Sequence, residues 1–445
     1  MKNKKSLLIS TLTAVFLLNT SVQAEENFVT EMLGDVNLTS LTHIRDWIVI
    51  PYAFSSESTG FAGGVGVIKQ GLLQPQTTLV ATAFYGAEQD IITNERDETA
   101  NFAGGFFLFS NYKLPFTNRL YMDIYGLKSY FPLGRHYLNG SNNSTRDRAL
   151  VTSGDSDFIY STFRYVFPIG EGLDNPERLY TIKNGFAMNR EGLGGGIPFQ
   201  TGFTSAGIKT FYSHDVFENT IGTDAASIPE WDALGLRFFL KHENTDWDLN
   251  PTRGYQFQVQ YSKDYGSGDS LQSWDFLEAK YNHYFSLPTF SWSTQSVLAL
   301  SAWTGYSFSW DNDNSYNGTQ IDANRPPPWE GARLGGFNRM RGYENNRFSD
   351  KAVFYATAEY RATLDYNPFR DNSIIPVPVD WLQIVLFAEA GRVNDTYSTE
   401  LFSDMKYDVG ISLRALAAEL PIRLDVAYGD EGTNFWVMVY QPFDF

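Results

Sequence analysis

Residues 255–262 read YQFQVQYS. Tyr255, Phe257, Val259 and Tyr261 share one parity, and Gln256, Gln258, Gln260 and Ser262 share the other. Successive side chains of a strand point to opposite faces, so this run has one apolar face and one wet face. The pattern recurs. Ala352, Phe354, Ala356, Ala358, Tyr360, Ala362 and Leu364 alternate with Tyr355, Thr357, Glu359, Arg361 and Thr363. Tyr407, Val409, Ile411 and Leu413 alternate with Asp408, Gly410, Ser412 and Arg414, and Ile422, Leu424, Val426 and Tyr428 with Arg423, Asp425 and Ala427. A soluble β-sandwich also alternates. Composition favours the membrane: aromatics reach 16% while mean hydropathy is −0.28, as expected when apolar positions face lipid and polar ones face a wet lumen. Beyond the N-terminus no apolar run approaches the roughly 18 residues of a membrane helix. The expected fold is all-β, a transmembrane antiparallel barrel.

About sixteen strands can be placed: 46–54, 60–70, 77–86, 100–112, 119–130, 156–167, 202–213, 231–242, 254–265, 273–286, 291–307, 351–364, 381–391, 406–418, 421–429 and 434–441. An even count with both ends on the periplasmic side suits an outer-membrane barrel. Short turns such as 114–118 and 250–254 then face the periplasm. Longer loops, 131–155, 214–230 and 308–350, face outward, and the last is much the longest. The Gly-rich stretch 170–201 shows no clear strand. The chain ends in Phe445, with Phe443 two before it, an aromatic C-terminal insertion signal that Pro442 interrupts.

The N-terminus, MKNKKSLLISTLTAVFLLNTSVQAEE, reads as a secretory signal peptide cleaved after Ala24. Removing 24 of the 445 residues leaves 421, and losing Lys2, Lys4 and Lys5 takes the formal charge from −17 to −20. Such an acidic chain is a poor partner for nucleic acid. With no cysteine there is no disulfide framework. Residues 25–45 form a short periplasmic tail, and 46–445 form one barrel domain. His43, His136, His214, His242 and His283 lack zinc-ligand spacing, and no G-x-S-x-G elbow occurs. No metal, no cofactor and no enzymatic activity are expected.

Loop 308–350 carries GGFNRMRGYENNRFSD at 335–350. Its Arg339-Met340-Arg341-Gly342-Tyr343, lying between strands eleven and twelve, resembles the Arg-Gly-aromatic motif of the BamA and TamA family of outer-membrane assembly and secretion barrels, the bacterial surface antigen family. Three further motifs carry the likeness: Asp246 followed by Pro251 and Gly254 at the turn between strands eight and nine, FAEAGRV at 387–393, and LPIRLDVAYG at 420–429. PYAFSSESTGFAGGVGV at 51–67 resembles the family's first hairpin.

The resemblance implies that loop 308–350 folds into the lumen and that Arg341 pairs with carboxylates on strands twelve and thirteen. Parity puts Glu359 and Glu389 on the polar faces of those strands. A planar guanidinium fork suits two carboxylates, and Gly342 would let the backbone approach the wall. Arg361, Arg414, Arg423 and Asp425 also point inward, either as a charged network or as the lining of a channel.

Members of the family that assemble or secrete proteins usually carry periplasmic POTRA domains, and residues 25–45 leave room for none. Three functions therefore stand. The first is assembly, insertion or translocation, acting on unfolded outer-membrane or secreted proteins alone or with a separate periplasmic partner. The second is a passive or gated channel. The third is a surface-exposed structural barrel able to form homo-oligomers. Each places the chain in the outer membrane, with lipid as a partner.

Overall fold

The computed structural model describes residues 47–56, 60–91, 98–138, 140–188, 190, 193–218, 230–266, 273–311, 315–316, 319–320, 323–327, 329–370, 379–417, 420–439 and 441–443. The expected signal peptide, the tail 25–45 and Phe445 lie outside these residues.

Sixteen strands form one antiparallel meander in sequence order. They are β1 Ile48–Ser56, β2 Gly60–Gln70, β3 Thr78–Ile91, β4 Glu98–Lys113, β5 Leu120–His136 and β6 Leu150–Val166. Then follow β7 Phe203–Val216, β8 Glu230–Thr245, β9 Gly254–Asp264, β10 Asp275–Leu287 and β11 Ser293–Tyr306. The last five are β12 Ala352–Leu364, β13 Val379–Asn394, β14 Lys406–Ala417, β15 Leu420–Gly429 and β16 Gly432–Val439. This is the sixteen-stranded all-β fold that the alternation predicts. β1 and β16 are the edges of the sheet, and among the described residues no ladder joins them.

The faces separate as the parity of the sequence requires. On β14, Tyr407, Val409, Ile411 and Leu413 are 43–60% exposed, while Asp408, Ser412 and Arg414 are at most 2% exposed. An exposed apolar row beside a buried charged row is the reverse of a water-soluble sheet and matches a barrel with lipid outside. The interior also holds a large aromatic cluster, including Phe106, Tyr125, Tyr160, Phe211, Trp274 and Trp381.

Several strands are longer than the sequence suggests. β3 continues five residues past 86, and β5 six past 130. Each extension follows a register shift, between Tyr85 and Glu88 in β3 and between Phe131 and Gly134 in β5. A bulge adds a residue to one strand and inverts the alternation beyond it, so a parity reading stops at the bulge. The loop expected at 131–155 shrinks to 137–149 accordingly. At the other extreme, β16 ends at Val439, short of the expected 441.

Ile411 lies mid-strand on the outward row. Ile411→Arg should lower barrel stability in vesicles by about 2–4 kcal/mol, read from urea unfolding, whereas Ile411→Leu should leave the unfolding midpoint in place.

Candidate functional site

The strand register creates an electrostatic problem on the inner wall. It places Glu389 of β13 directly opposite Asp408 of β14. It also places Arg414 of β14 opposite Arg423 of β15. Like charges in direct cross-strand register repel. Glu359 on β12 and Asp425 on β15 relieve the arginine pair. Glu359 lies 2.8 Å from Arg414 Nη2 and 2.8 Å from Arg361 Nε, and Asp425 pairs with Arg423. The wall then holds three guanidiniums and four carboxylates, all buried. It is one cation short, at Glu389 and Asp408.

Loop residues supply that cation. Arg341, fully buried, puts its Nε 3.2 Å from Glu389 Oε1 and its Nη1 3.5 Å from Asp425 Oδ2. Its Nη2 is 2.9 Å from Glu359 Oε1, a charge contact whose N–H is not aligned for a hydrogen bond. The guanidinium carbon lies 3.4 Å from the centre of the Phe387 ring. The Arg341 backbone amide donates to Glu389 Oε2 at 2.6 Å, and Gly342 N donates to Asp408 Oδ2 at 3.0 Å. One arginine and two backbone amides thus neutralise the repelling carboxylate pair. Tyr355 donates its hydroxyl to Glu389 at 2.5 Å. A β-carbon on Gly342 would come within 2.6 Å of Asp408 Cβ and 2.8 Å of Gly429 N. Only glycine lets the loop lie this close to the wall.

The structure therefore brings Arg341, Gly342, Glu359, Glu389, Arg361, Arg414, Arg423 and Asp425 into one cluster. Tyr343 stands at its edge, donating to the Tyr407 carbonyl at 3.2 Å. Arg423 Nη2 donates to the Phe337 carbonyl at 2.8 Å and to Asn338 Oδ1 at 2.9 Å, a second tie from wall to loop. Sequence reasoning missed Asp408, Phe387, Tyr355 and Trp436. Asp408 was legible, since it shares the inward parity of Arg414. Trp436 of β16 donates its indole N–H to the Arg341 carbonyl at 2.8 Å and packs edge-on against Phe337. The loop thus braces the last strand from inside.

Farther along, the loop is held to β5, to the loop after it and to the β15–β16 turn. Glu344 accepts from Arg146 Nε at 2.6 Å and pairs with Arg135, with Tyr137 also donating to it. Arg347 lies 2.7 Å from Glu431 and donates to the Ser144 carbonyl at 2.7 Å. In the stretch 325–331, Glu330 pairs with Arg237 of β8, and Trp329 packs on Trp231 and Phe217.

The turn motif is structural. Asp246 Oδ1 accepts from the backbone amides of Thr252 at 2.9 Å and Arg253 at 3.2 Å, and Oδ2 accepts from the Thr252 hydroxyl at 2.5 Å. Burial raises the Asp246 carboxyl above its ordinary value despite these donors. The buried Pro251 sits between them in the turn, and Gly254 enters β9 with φ +103°, its missing side chain leaving room for the Asn244 carbonyl.

Phe443, one of the two aromatics of the expected C-terminal insertion signal, does not lie on β16. Beyond the end of β16 it turns inside, packing on Tyr284, Val297 and Ala299, with the Arg361 guanidinium carbon 4.8 Å from its ring centre. Asn282 donates to its carbonyl at 2.8 Å. Pro442, lacking an amide donor, cannot extend the ladder.

The stretch 170–201 joins β6 to β7 at the same end as the turn motif. Part of it forms a strap across that mouth, inside the barrel. Arg178 is buried 2.5 Å from Glu243 and 3.6 Å from Asp248. A short hairpin, Ile182–Lys183 with Phe186–Ala187, reaches β13, where Trp381 donates its indole N–H to the Gly185 carbonyl at 2.9 Å. Among the described residues no group of three or more His, Asp or Glu is arranged to hold a metal.

A sixteen-stranded barrel whose longest outer loop is locked in the lumen by a buried arginine defines a recognisable class of outer-membrane barrel. Residues 199–437, more than half of the chain, match the Omp85 superfamily domain, and the chain belongs to the Omp85 superfamily. Among solved structures it is similar to BamA from Haemophilus ducreyi lacking POTRA domains 1-3, with TM-score 0.46 and 12% identity over 89% of this chain and 70% of that one. It is also similar to CdiB from Escherichia coli, with TM-score 0.47 and 11% identity over 88% of this chain and 61% of that one. For CdiB from Acinetobacter baumannii the TM-score is 0.47 and the identity 11%, over 88% of this chain and 58% of that one. The chain thus spans less than two thirds of either CdiB. No curated protein matches its sequence significantly.

Arg341→Ala leaves buried carboxylates without their cation, a loss of about 3–5 kcal/mol when the site is dry. The barrel should still insert, but loop 308–350 should be cut faster by protease added to intact cells. Arg341→Lys should rescue little, since an ammonium cannot span three carboxylates as a fork does.

Asp350, in the short loop strand Phe348–Asp350, gives a pH dependence. Burial pushes its carboxyl up to about 6, the Lys351 amide donating to it opposes this, and Asp395 adds to the rise. A raised carboxyl penalises the docked loop when ionised. The penalty is full above the folded value and disappears as pH falls to the ordinary value. Relative to Asp350→Asn at the same pH, the wild-type loop should therefore be nicked faster at about pH 7.5 and equally fast near pH 4.

Proposed function

We propose that this Omp85 barrel takes part, without catalytic chemistry, in inserting or translocating polypeptides at the outer membrane. The observation that carries this reading is the Arg341 cluster with its tie to β16. The loop holds β12–β15 as a rigid wall and packs the inner face of the last strand through Trp436 and Phe337. An edge strand kept ordered in this way can template an incoming strand through its backbone groups. Clients are unfolded outer-membrane or secreted proteins, delivered by a separate periplasmic protein or arriving unaided. A passive pore is the weaker reading, because buried ties hold loop segment 329–350 inside one mouth, through Glu344 and Arg347, and the strap 174–188 across the other, through Gly185 and Trp381.

The test uses liposomes carrying the folded barrel and a small unfolded outer-membrane protein as client. The barrel should speed client insertion over empty liposomes, and Arg341→Ala and Trp436→Ala should remove the gain. Insertion no faster than in empty liposomes, both with the barrel alone and after adding periplasmic extract, would remove the assembly reading.

A further inference from the structure

Residues 193–202, LGGGIPFQTG, follow the strap but do not stay in the mouth. They lie on the outer, lipid-facing side of the barrel. The parity of β8 shows this. Leu234, Phe238 and Leu240 are 40–41% exposed on its outward row, yet His242 and Asn244, on the same row, are buried beneath this segment. The contacts beneath are polar. Gly195 N donates to the Asn244 carbonyl at 3.0 Å, and Asn244 Nδ2 donates to the Gly196 carbonyl at 3.1 Å and the Thr201 hydroxyl at 2.8 Å. The Tyr255 hydroxyl donates to the same Gly196 carbonyl at 2.9 Å. The tip is apolar: Ile197 is 63% exposed and Phe199 47%, with the Phe199 ring 5.2 Å from His242 and 6.1 Å from Phe257.

Between this segment and the outward faces of β9 and β10 lies a cavity of about 700 Å³. Pro198, Tyr255, Phe257, His283 and Phe285 line it, and Arg253 stands in its wall at the end nearest the periplasmic turn. Arg253 is exposed, and among the described residues its guanidinium has no ion pair. The Asp246 carboxylate in the same turn is already taken by the Thr252 hydroxyl and by two backbone amides.

We propose that this cavity is a phospholipid site in the periplasmic leaflet of the membrane, with an acyl chain among the aromatic rings and the phosphate on Arg253. The outward face of the barrel is in contact with lipid, so an acyl chain is the occupant at hand. The volume falls within the range of small-molecule pockets. An aromatic body beneath an unpaired cation at the water boundary matches a lipid's own division into chain and anionic head. The segment forms a wall that an ordinary lipid-facing strand lacks, which makes this a pocket rather than a flat annular contact.

The experiment adds dioleoyl-phosphatidylglycerol or dioleoyl-phosphatidylcholine to the delipidated full-length barrel in detergent and counts bound lipid by native mass spectrometry. The anionic lipid should bind about fivefold more tightly, the worth of one basic residue at an anionic lipid. Arg253→Gln should abolish that preference while both lipids still bind. Phe257→Ala should weaken both lipids. Leu386→Ala, on the outward face of β13, should change neither. Equal binding to wild type and Phe257→Ala, or an anionic preference that survives Arg253→Gln, would overturn the site. So would inorganic phosphate competing as well as the lipid does, since Arg253 would then hold free anions only. Heat-modifiable gel mobility checks that each variant is folded.

Discussion

A guanidinium enclosed by carboxylates from three strands is the contact on which the rest of the barrel interior depends. The register of β13 and β14 forces Glu389 against Asp408, and among the described residues no cation of the wall itself pairs with either. Arg341 does, and the amides of Arg341 and Gly342 complete the shell. Burying one charge is costly and burying a balanced set is tolerable. The wall and the loop are therefore each incomplete alone. The longest loop is tied to one place by charge balance as well as by packing.

That dependence spreads outward. Because Arg341 sits deep, the loop residues on either side are brought to β5, to the β15–β16 turn and to β8, where Glu344, Arg347 and Glu330 find partners. Because its carbonyl receives Trp436, the last strand is held to the loop from inside. At the other mouth a strap of the β6–β7 connection makes the corresponding closure through Arg178 and Trp381. The interior is thus organised by three buried arginines from loops, Arg178, Arg341 and Arg347, each paired with acid on the wall or an adjoining turn.

Much of this was legible in the chain. Sixteen strands follow from period-2 alternation, and the inward direction of Glu359, Glu389, Arg414 and Asp425 follows from parity alone. What alternation cannot carry is information past a bulge. After Tyr85 and Phe131 the face assignment inverts, and a parity reading ends the strand there. It also carries no register. Asp408 was visibly inward, but its position opposite Glu389 depends on how two strands slide past each other. The inward packing of Phe443 was not legible for a related reason, because it follows from the end of the ladder at Val439 and not from local alternation.

The sequence by itself determined the fold class, the strand number, the two faces and the residues able to form the charged cluster. These are local properties of a strand with a two-residue period. Only the tertiary structure decided which charges meet, that Trp436 braces the last strand, that 170–201 divides into an inner strap and an outer flap, and that a pocket lies beneath that flap. Those outcomes depend on segments up to about two hundred residues apart closing on one another, and no local pattern records where a curled sheet brings its distant strands together.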